Sequence, residues 1–152
     1  MNWIAVIALI AVVTVLMMVQ VPLDLRTHRL SRAATSRATI AVALIVAIDA
    51  WIADAFLTAV LSMTVVLATV GVYALMHQVS PGSLGWGDVL LVVPLTLAIA
   101  YVSVERVLWW QLVAASTGAA HAGWVRVRHG RRHIPFGPHL LLGAWMVLVT
   151  SV

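Results

Sequence analysis

Residues 38–76 read ATIAVALIVAIDAWIADAFLTAVLSMTVVLATVGVYALM, and the only charged side chains in this stretch are Asp49 and Asp54. A helix needs about 20 residues to cross the hydrocarbon layer once. A single helix over the whole stretch would therefore overshoot the bilayer. The stretch predicts a transmembrane hairpin, with spans near residues 40–49, or slightly beyond, and 55–76, and with a turn near the two acids.

The rest of the chain has the same character. Of its 152 residues, 63% are hydrophobic and 9% are charged, whereas a soluble domain averages about 45–50% apolar and about 25% charged residues. This composition excludes a water-soluble globule. Further apolar runs cover residues 3–21, 89–103, 107–124 and 139–152. We therefore expect an all-α polytopic membrane protein with about six transmembrane helices, which form one domain over residues 1–152.

The arginines predict the orientation. Four lie in the first predicted loop, four in the fifth, and one in the fourth. By the positive-inside rule, the odd loops face the cytoplasm and both termini lie outside the plasma (inner) membrane. The first run begins without a basic segment, so we expect a retained span rather than a cleaved signal peptide. The cluster Arg126–Arg132 is expected to contact anionic lipid headgroups, and nucleic acid is not an expected partner.

Two acids lie at the same predicted membrane face. Asp24 follows span one, and Asp88 begins span four. Each has an ordinary structural explanation, because Asp24 can pair with Arg26 or Arg29 and Asp88 can interact with a helix dipole. As a pair they can share a water molecule, with one ionised as general base and the other protonated as general acid. The sequence does not say which of the two is the base.

The remaining ionisable residues give weaker signals. Asp49 and Asp54 are interpreted as acids of an outer turn, and Glu105 with Arg106 as another turn pair. The six histidines show no zinc-ligand spacing on one helix, so we expect no metal site. Four of them lie in or beside Arg-rich stretches, where solvation at the interface explains them: His28, His129, His133 and His139. His121 lies within span five and is the histidine most expected to be buried.

Three motifs occur in order along the chain. Asp24-Leu-Arg-Thr-His-Arg-Leu-Ser31 follows span one, Gly85-Trp-Gly-Asp88 precedes span four, and Ile134-Pro-Phe-Gly-Pro138 precedes span six. Together they resemble the type IV prepilin leader peptidases, which are membrane aspartic peptidases of the GxGD type. The resemblance extends over nearly the whole chain.

This resemblance implies an endopeptidase, with no metal or organic cofactor, that removes the short basic leader of pilin-like precursors at the cytoplasmic membrane face. Asp24 and Asp88 match the family's catalytic positions. Gly85, Gly87 and Arg26 are the expected substrate-binding residues, and neither glycine has a side chain that would keep a peptide away from Asp88. The paired-Cys methyltransferase domain of many members is absent from these 152 residues, which contain no Cys.

Two alternatives remain open from the sequence. Leu90 stands where the family usually has Lys, and Ser31 where it usually has Pro. Both differences favour a non-enzymatic membrane scaffold of the same family. A small proton-coupled transporter subunit that uses Asp24 or Asp88 as a relay would instead predict acids deep in the spans and an internal repeat.

Overall fold

A computed structural model describes residues 2–27, 30–79, 84–129 and 136–151, without the side chains of residues 126–129. Within these ranges the chain forms six helices: α1 (Trp3–Thr27), α2 (Arg32–Ile52), α3 (Phe56–Val79), α4 (Trp86–Val102), α5 (Val104–His129) and α6 (Gly137–Val149). Helices α1, α2 and α3 are each long and apolar enough to cross a membrane, and α4 and α6 are shorter apolar helices. The predicted all-α membrane fold is confirmed.

Helix α4 is the centre of the bundle. It packs against all five other helices, and most of its residues are buried, including the acid Asp88 in its first turn. A helix that is covered on every side carries no polar face, which explains why the sequence of α4 is apolar all round. By contrast, α3 packs mainly on α4 and leaves most of its side chains at the surface.

Several helix ends differ from the sequence prediction. Helix α1 continues through Pro22, so Asp24 lies inside the helix rather than after it. Proline removes one backbone hydrogen bond, a loss that neighbouring groups offset in membrane helices. Helix α2 begins at Arg32, where the Ser31 hydroxyl accepts a hydrogen bond from the Ala34 N–H at 3.3 Å. Glu105 and Arg106 lie in the first turn of α5, and only Ser103 separates α4 from α5.

The prediction that Asp49 belongs to an outer turn is wrong. Asp49 lies in the last turn of α2 and is buried. Its carboxylate accepts hydrogen bonds from the Tyr101 hydroxyl at 2.8 Å and from the Asn2 N–H at 3.3 Å. These two bonds connect α2 to the end of α4 and to the residue before α1. Asp54 does lie in the turn after α2, with a φ of 52°.

A buried amide fixes α1 against the start of α2. The Gln20 side chain is fully buried; its Oε1 accepts a hydrogen bond from the Ser31 N–H at 2.8 Å, and its Nε2 donates to the Ser31 carbonyl at 3.0 Å and to the Thr35 hydroxyl at 2.9 Å. A proline at position 31 has no N–H to donate. The serine at this position is therefore explained by the bond it makes with Gln20, one helical turn before Asp24.

We expect Gln20→Leu to destabilise the protein, because it keeps the size of the side chain but leaves the Ser31 and Thr35 groups without their amide partner. The free energy of unfolding, measured by SDS titration in mixed micelles, is expected to fall by about 1–3 kcal/mol.

Thr64→Val is the control for this experiment. Thr64 is exposed, and its hydroxyl donates within its own helix to the Val60 carbonyl, so the expected change is below about 0.5 kcal/mol. Equal losses in the two variants would contradict the role given to Gln20.

Candidate functional site

The two acids singled out in the sequence lie together at one end of the bundle, where α1 ends and α2, α4 and α6 begin. We call this end the Asp end. Asp24 and Asp88 are 5% and 8% exposed. A Cβ atom built on Gly137, the first residue of α6, would lie 2.9 Å from Asp24 Oδ2 and 3.3 Å from Asp88 Oδ1. The two oxygens are therefore at most about 6 Å apart, a separation at which one carboxylate disfavours ionisation of another.

An open cavity of about 510 Å³ lies over the two carboxylates. It is lined by both acids and by five residues around them: Leu30, Arg32, Gly85, Trp86 and Gly87. The cavity thus gives a molecule from outside access to side chains that are otherwise nearly buried. The cavity also has a cationic group, the guanidinium of Arg32 at the start of α2.

The loop before α4 holds Asp88 in place. The Gly85 N–H donates to Asp88 Oδ2 at 3.1 Å, and the Asp88 N–H donates to the Gly85 carbonyl at 3.0 Å. This reciprocal pair caps the start of α4, as a capping box does. Asp88 Oδ2 is occupied by this bond, while Asp88 Oδ1 is the oxygen that lies near Gly137.

Both glycines of the Gly85-Trp-Gly-Asp88 motif are in close contact with the protein itself. A Cβ atom at Gly85 would lie 3.3 Å from Asp88 Oδ2, and one at Gly87 would lie 3.2 Å from the Cβ of Leu30. The first glycine therefore leaves room for the carboxylate, and the second lets α4 approach Leu30, which lies between α1 and α2. These contacts are reasons for the two glycines in addition to the peptide access that the sequence predicts for them.

The start of the motif is also attached to α3. His77 Nδ1 lies 2.8 Å from the Leu84 carbonyl oxygen, and the His77 and Trp86 rings are 5.3 Å apart between centroids. His77 is in the last turn of α3. It therefore ties the end of α3 to the residues on both sides of Gly85.

Arg26 remains a predicted substrate-binding residue, although it is not among the residues that line the cavity. It lies exposed in the last turn of α1, and the arginine that lines the cavity among the described residues is Arg32. Two further features were missed, namely the position of Gly137 between the acids and the Gln20 bonds behind Asp24. A lone Gln in an apolar run is a signal for a buried polar contact in a membrane protein, so Gln20 could have been found.

The interfacial interpretation of His139 is wrong. His139 lies in the first turn of α6 and is partly buried, and its Nε2 lies 2.9 Å from His121 Nδ1 on α5. His121, which the sequence predicted to be the most buried histidine, makes this contact between α5 and α6. In the same region, Phe136 fills the space over Gly118 of α5, where a Cβ atom would come within 2.8 Å of the ring.

Some predicted features lie outside the described residues. They include His28 and Arg29 of the first loop, and His133, Ile134 and Pro135 with most of the second basic stretch. The side chains of Arg126, Arg128 and His129 are also not described. The predicted contact of this basic cluster with lipid headgroups therefore stays a prediction. Among the described side chains there is no group of three His, Asp or Glu residues with the geometry of a metal site.

The arrangement suits proton transfer. Two nearby carboxylates that are largely removed from water do not both ionise at low cost. The helix N-termini of α4 and α6 meet at the pair, and their partial positive charge stabilises one negative charge there. A water molecule between the carboxylates would face one base and one acid.

Comparison with family models, with curated proteins and with solved structures found no match to this chain.

We expect Gly137→Ala to destabilise the Asp end, because the added methyl group would press on the side chains of Asp24, Leu30 and Asp88, which are packed closely around this position. The expected loss in the free energy of unfolding is about 1–3 kcal/mol. Gly123→Ala is the matched control, since a Cβ atom there has no heavy atom within 4 Å among the described residues. That variant is expected to be unchanged or up to about 1 kcal/mol more stable. A Gly137→Ala protein as stable as the control would contradict the close approach.

Proposed function

We propose that this protein is a membrane aspartic endopeptidase that removes the leader peptide of type IV pilin-like precursors. The observation that carries the proposal is the convergence of Asp24 and Asp88 on Gly137 beneath an open cavity. The acids come from helices far apart in sequence, and each belongs to a motif that resembles this family. The third motif contributes Gly137, which lies between them.

The reaction needs a base, an acid and a water molecule. The ionised carboxylate takes a proton from water while the water oxygen bonds to the carbonyl carbon of the scissile peptide. The protonated carboxylate gives its proton to the carbonyl oxygen, which yields a tetrahedral intermediate with two hydroxyl groups. The C–N bond then breaks as the carboxyl group that took the water proton gives it to the leaving amine, while the other carboxylate takes a proton from one of the hydroxyl groups. Both carboxylates return to their starting state, so the cycle needs no other reactant.

The location of the site is part of the proposal. The arginine distribution supports a location of the Asp end at the cytoplasmic face of the inner membrane, where a basic leader would meet the two acids. The leader's positive charges would be attracted to the carboxylate that is ionised. Arg32, at the edge of the cavity, is suited to bind a backbone carbonyl of the precursor.

A non-enzymatic scaffold is the second candidate, and two observations favour it. Asp88 caps α4 through Gly85, a structural role that needs no chemistry, and Leu90 stands where the family usually has Lys. The two functions differ in what they require of Asp88. A cap needs one side-chain acceptor, which Asn also provides, whereas proton transfer needs a carboxyl group.

We expect Asp24→Asn and Asp88→Asn each to abolish precursor cleavage. In membranes that contain the protein and a pilin-like precursor with a basic leader and an apolar helix, the rate of the precursor's size shift is expected to fall by about 10²- to 10⁴-fold. Asn at position 88 still accepts the Gly85 N–H, so the loss is not explained by a broken cap.

Asp54→Asn is the matched control, because Asp54 lies in the α2–α3 turn with a positive φ that Asn tolerates. It is expected to cleave at the wild-type rate. Full cleavage by either Asp24→Asn or Asp88→Asn would overturn the dyad. The scaffold function is supported instead if the wild-type protein leaves the precursor intact and if the precursor is processed normally in a strain that lacks the gene for this protein.

A further inference from the structure

An apolar groove runs along the outside of the helical bundle between α3 and α5. It has a volume of about 580 Å³, and its walls include Val72 and Tyr73 of α3 and Gln111 of α5. Most of its exposed surface is apolar, as expected where lipid or another helix covers it. We call it the α3–α5 groove.

The groove leads to the Asp end. Its lining includes Leu84 and Phe136. Leu84 directly precedes Gly85, which bonds to Asp88, and Phe136 directly precedes Gly137, which lies between the two carboxylates. A helix lying in the groove would therefore present one end, and the leader joined to that end, to the cavity over Asp24 and Asp88.

One polar group in the groove lacks a partner. The Tyr73 hydroxyl donates to Gln111 Oε1, whereas Gln111 Nε2 is buried and has no hydrogen-bond partner among the described residues. The hydrocarbon of a bilayer holds no water to accept this bond, and lipid tails carry no acceptor. Gln111 lines the groove, so a turn of its side-chain amide would bring Nε2 to a polar side chain on a transmembrane helix bound there, as polar residues bond between packed membrane helices.

From these observations we propose that the α3–α5 groove binds the apolar transmembrane helix of the precursor, and that the Gln111 amide donates to a hydroxyl, carboxamide or carboxylate on that helix. The inference rests on the proposed peptidase function and adds the route by which the substrate reaches the acids. It also gives Gln111 a role in positioning the substrate.

The depth of Gln111 predicts where the acceptor lies. Gln111 is seven residues before Gly118 on α5, and Gly118 packs against Phe136 at the Asp end. Seven residues of helix span about 10 Å, or about two turns. The acceptor is therefore expected about two turns into the precursor's apolar helix from the cleaved bond.

Disulfide crosslinking tests the docking directly, because the protein has no Cys of its own. Val72→Cys places a thiol in the groove, and Ile40→Cys places one on α2. The two side chains are similarly exposed, at 56% and 60%, and each lies seven or eight residues from the helix end at the Asp end. Both are made together with Asp88→Asn, so that the precursor, with single Cys residues along its apolar helix, stays intact.

We expect the precursor to crosslink at least about tenfold more at Val72→Cys than at Ile40→Cys, a ratio that corresponds to about 1.4 kcal/mol of preference. Equal yields would mean that lipid covers the groove and would overturn the inference. If wild-type protein cleaves the precursor while the yields are equal, the groove is wrong and the peptidase proposal stands. Selective crosslinking without wild-type cleavage would leave a docking surface and overturn the peptidase proposal; failure of both would overturn both.

A second measurement tests the amide. With the intact precursor, Gln111→Leu is expected to raise KM about threefold to tenfold and to leave kcat unchanged, which is the range of hydrogen bonds between membrane helices. The same substitution is expected to have no effect on a precursor whose acceptor has been replaced by Leu. A general loss of structure would instead lower cleavage of both precursors equally, and that result would contradict the positioning role.

Discussion

The close approach of α6 to two carboxylates is the contact on which the candidate site depends. Gly137 is the first residue of α6, and any side chain there would collide with Asp24 Oδ2. The approach brings a helix N-terminus to the pair, where its partial positive charge stabilises a negative group. Without it, Asp24 and Asp88 would be acids at two separate helix ends, each with an ordinary structural explanation.

Two other polar arrangements hold the helices that carry the acids. Gln20 fixes α1 to the start of α2 one turn before Asp24, and the Asp49 carboxylate connects α2 to Tyr101 at the far end of α4. Buried polar groups in a membrane protein need partners inside the protein. These bonds therefore set how the helices are placed along their axes, which apolar packing alone leaves poorly defined, and so they determine which residues meet at the Asp end.

The proposed mechanism and the α3–α5 groove make one consistent path. The groove is apolar along α3 and α5 and ends at Leu84 and Phe136, each one residue from a glycine that contacts the acids. A substrate with a membrane helix and a basic leader matches this surface, since the helix suits the apolar groove and the leader suits the acids at the Asp end. The path also gives a reason for the Gln111 amide, whose Nε2 is buried beside the groove without a hydrogen-bond partner among the described residues.

The sequence by itself determined the membrane-spanning all-α class, the six helices and the two acids, because hydrocarbon burial demands long apolar runs and makes each charge conspicuous. It misjudged Asp49 and His139, since a pattern along the chain gives a residue's depth but not the helix that it faces. Only the tertiary structure decided that Gly137 lies between the carboxylates, that Gln20 holds Ser31, and that Arg32 lines the cavity. These contacts join residues distant in sequence, and their geometry depends on how the whole bundle packs.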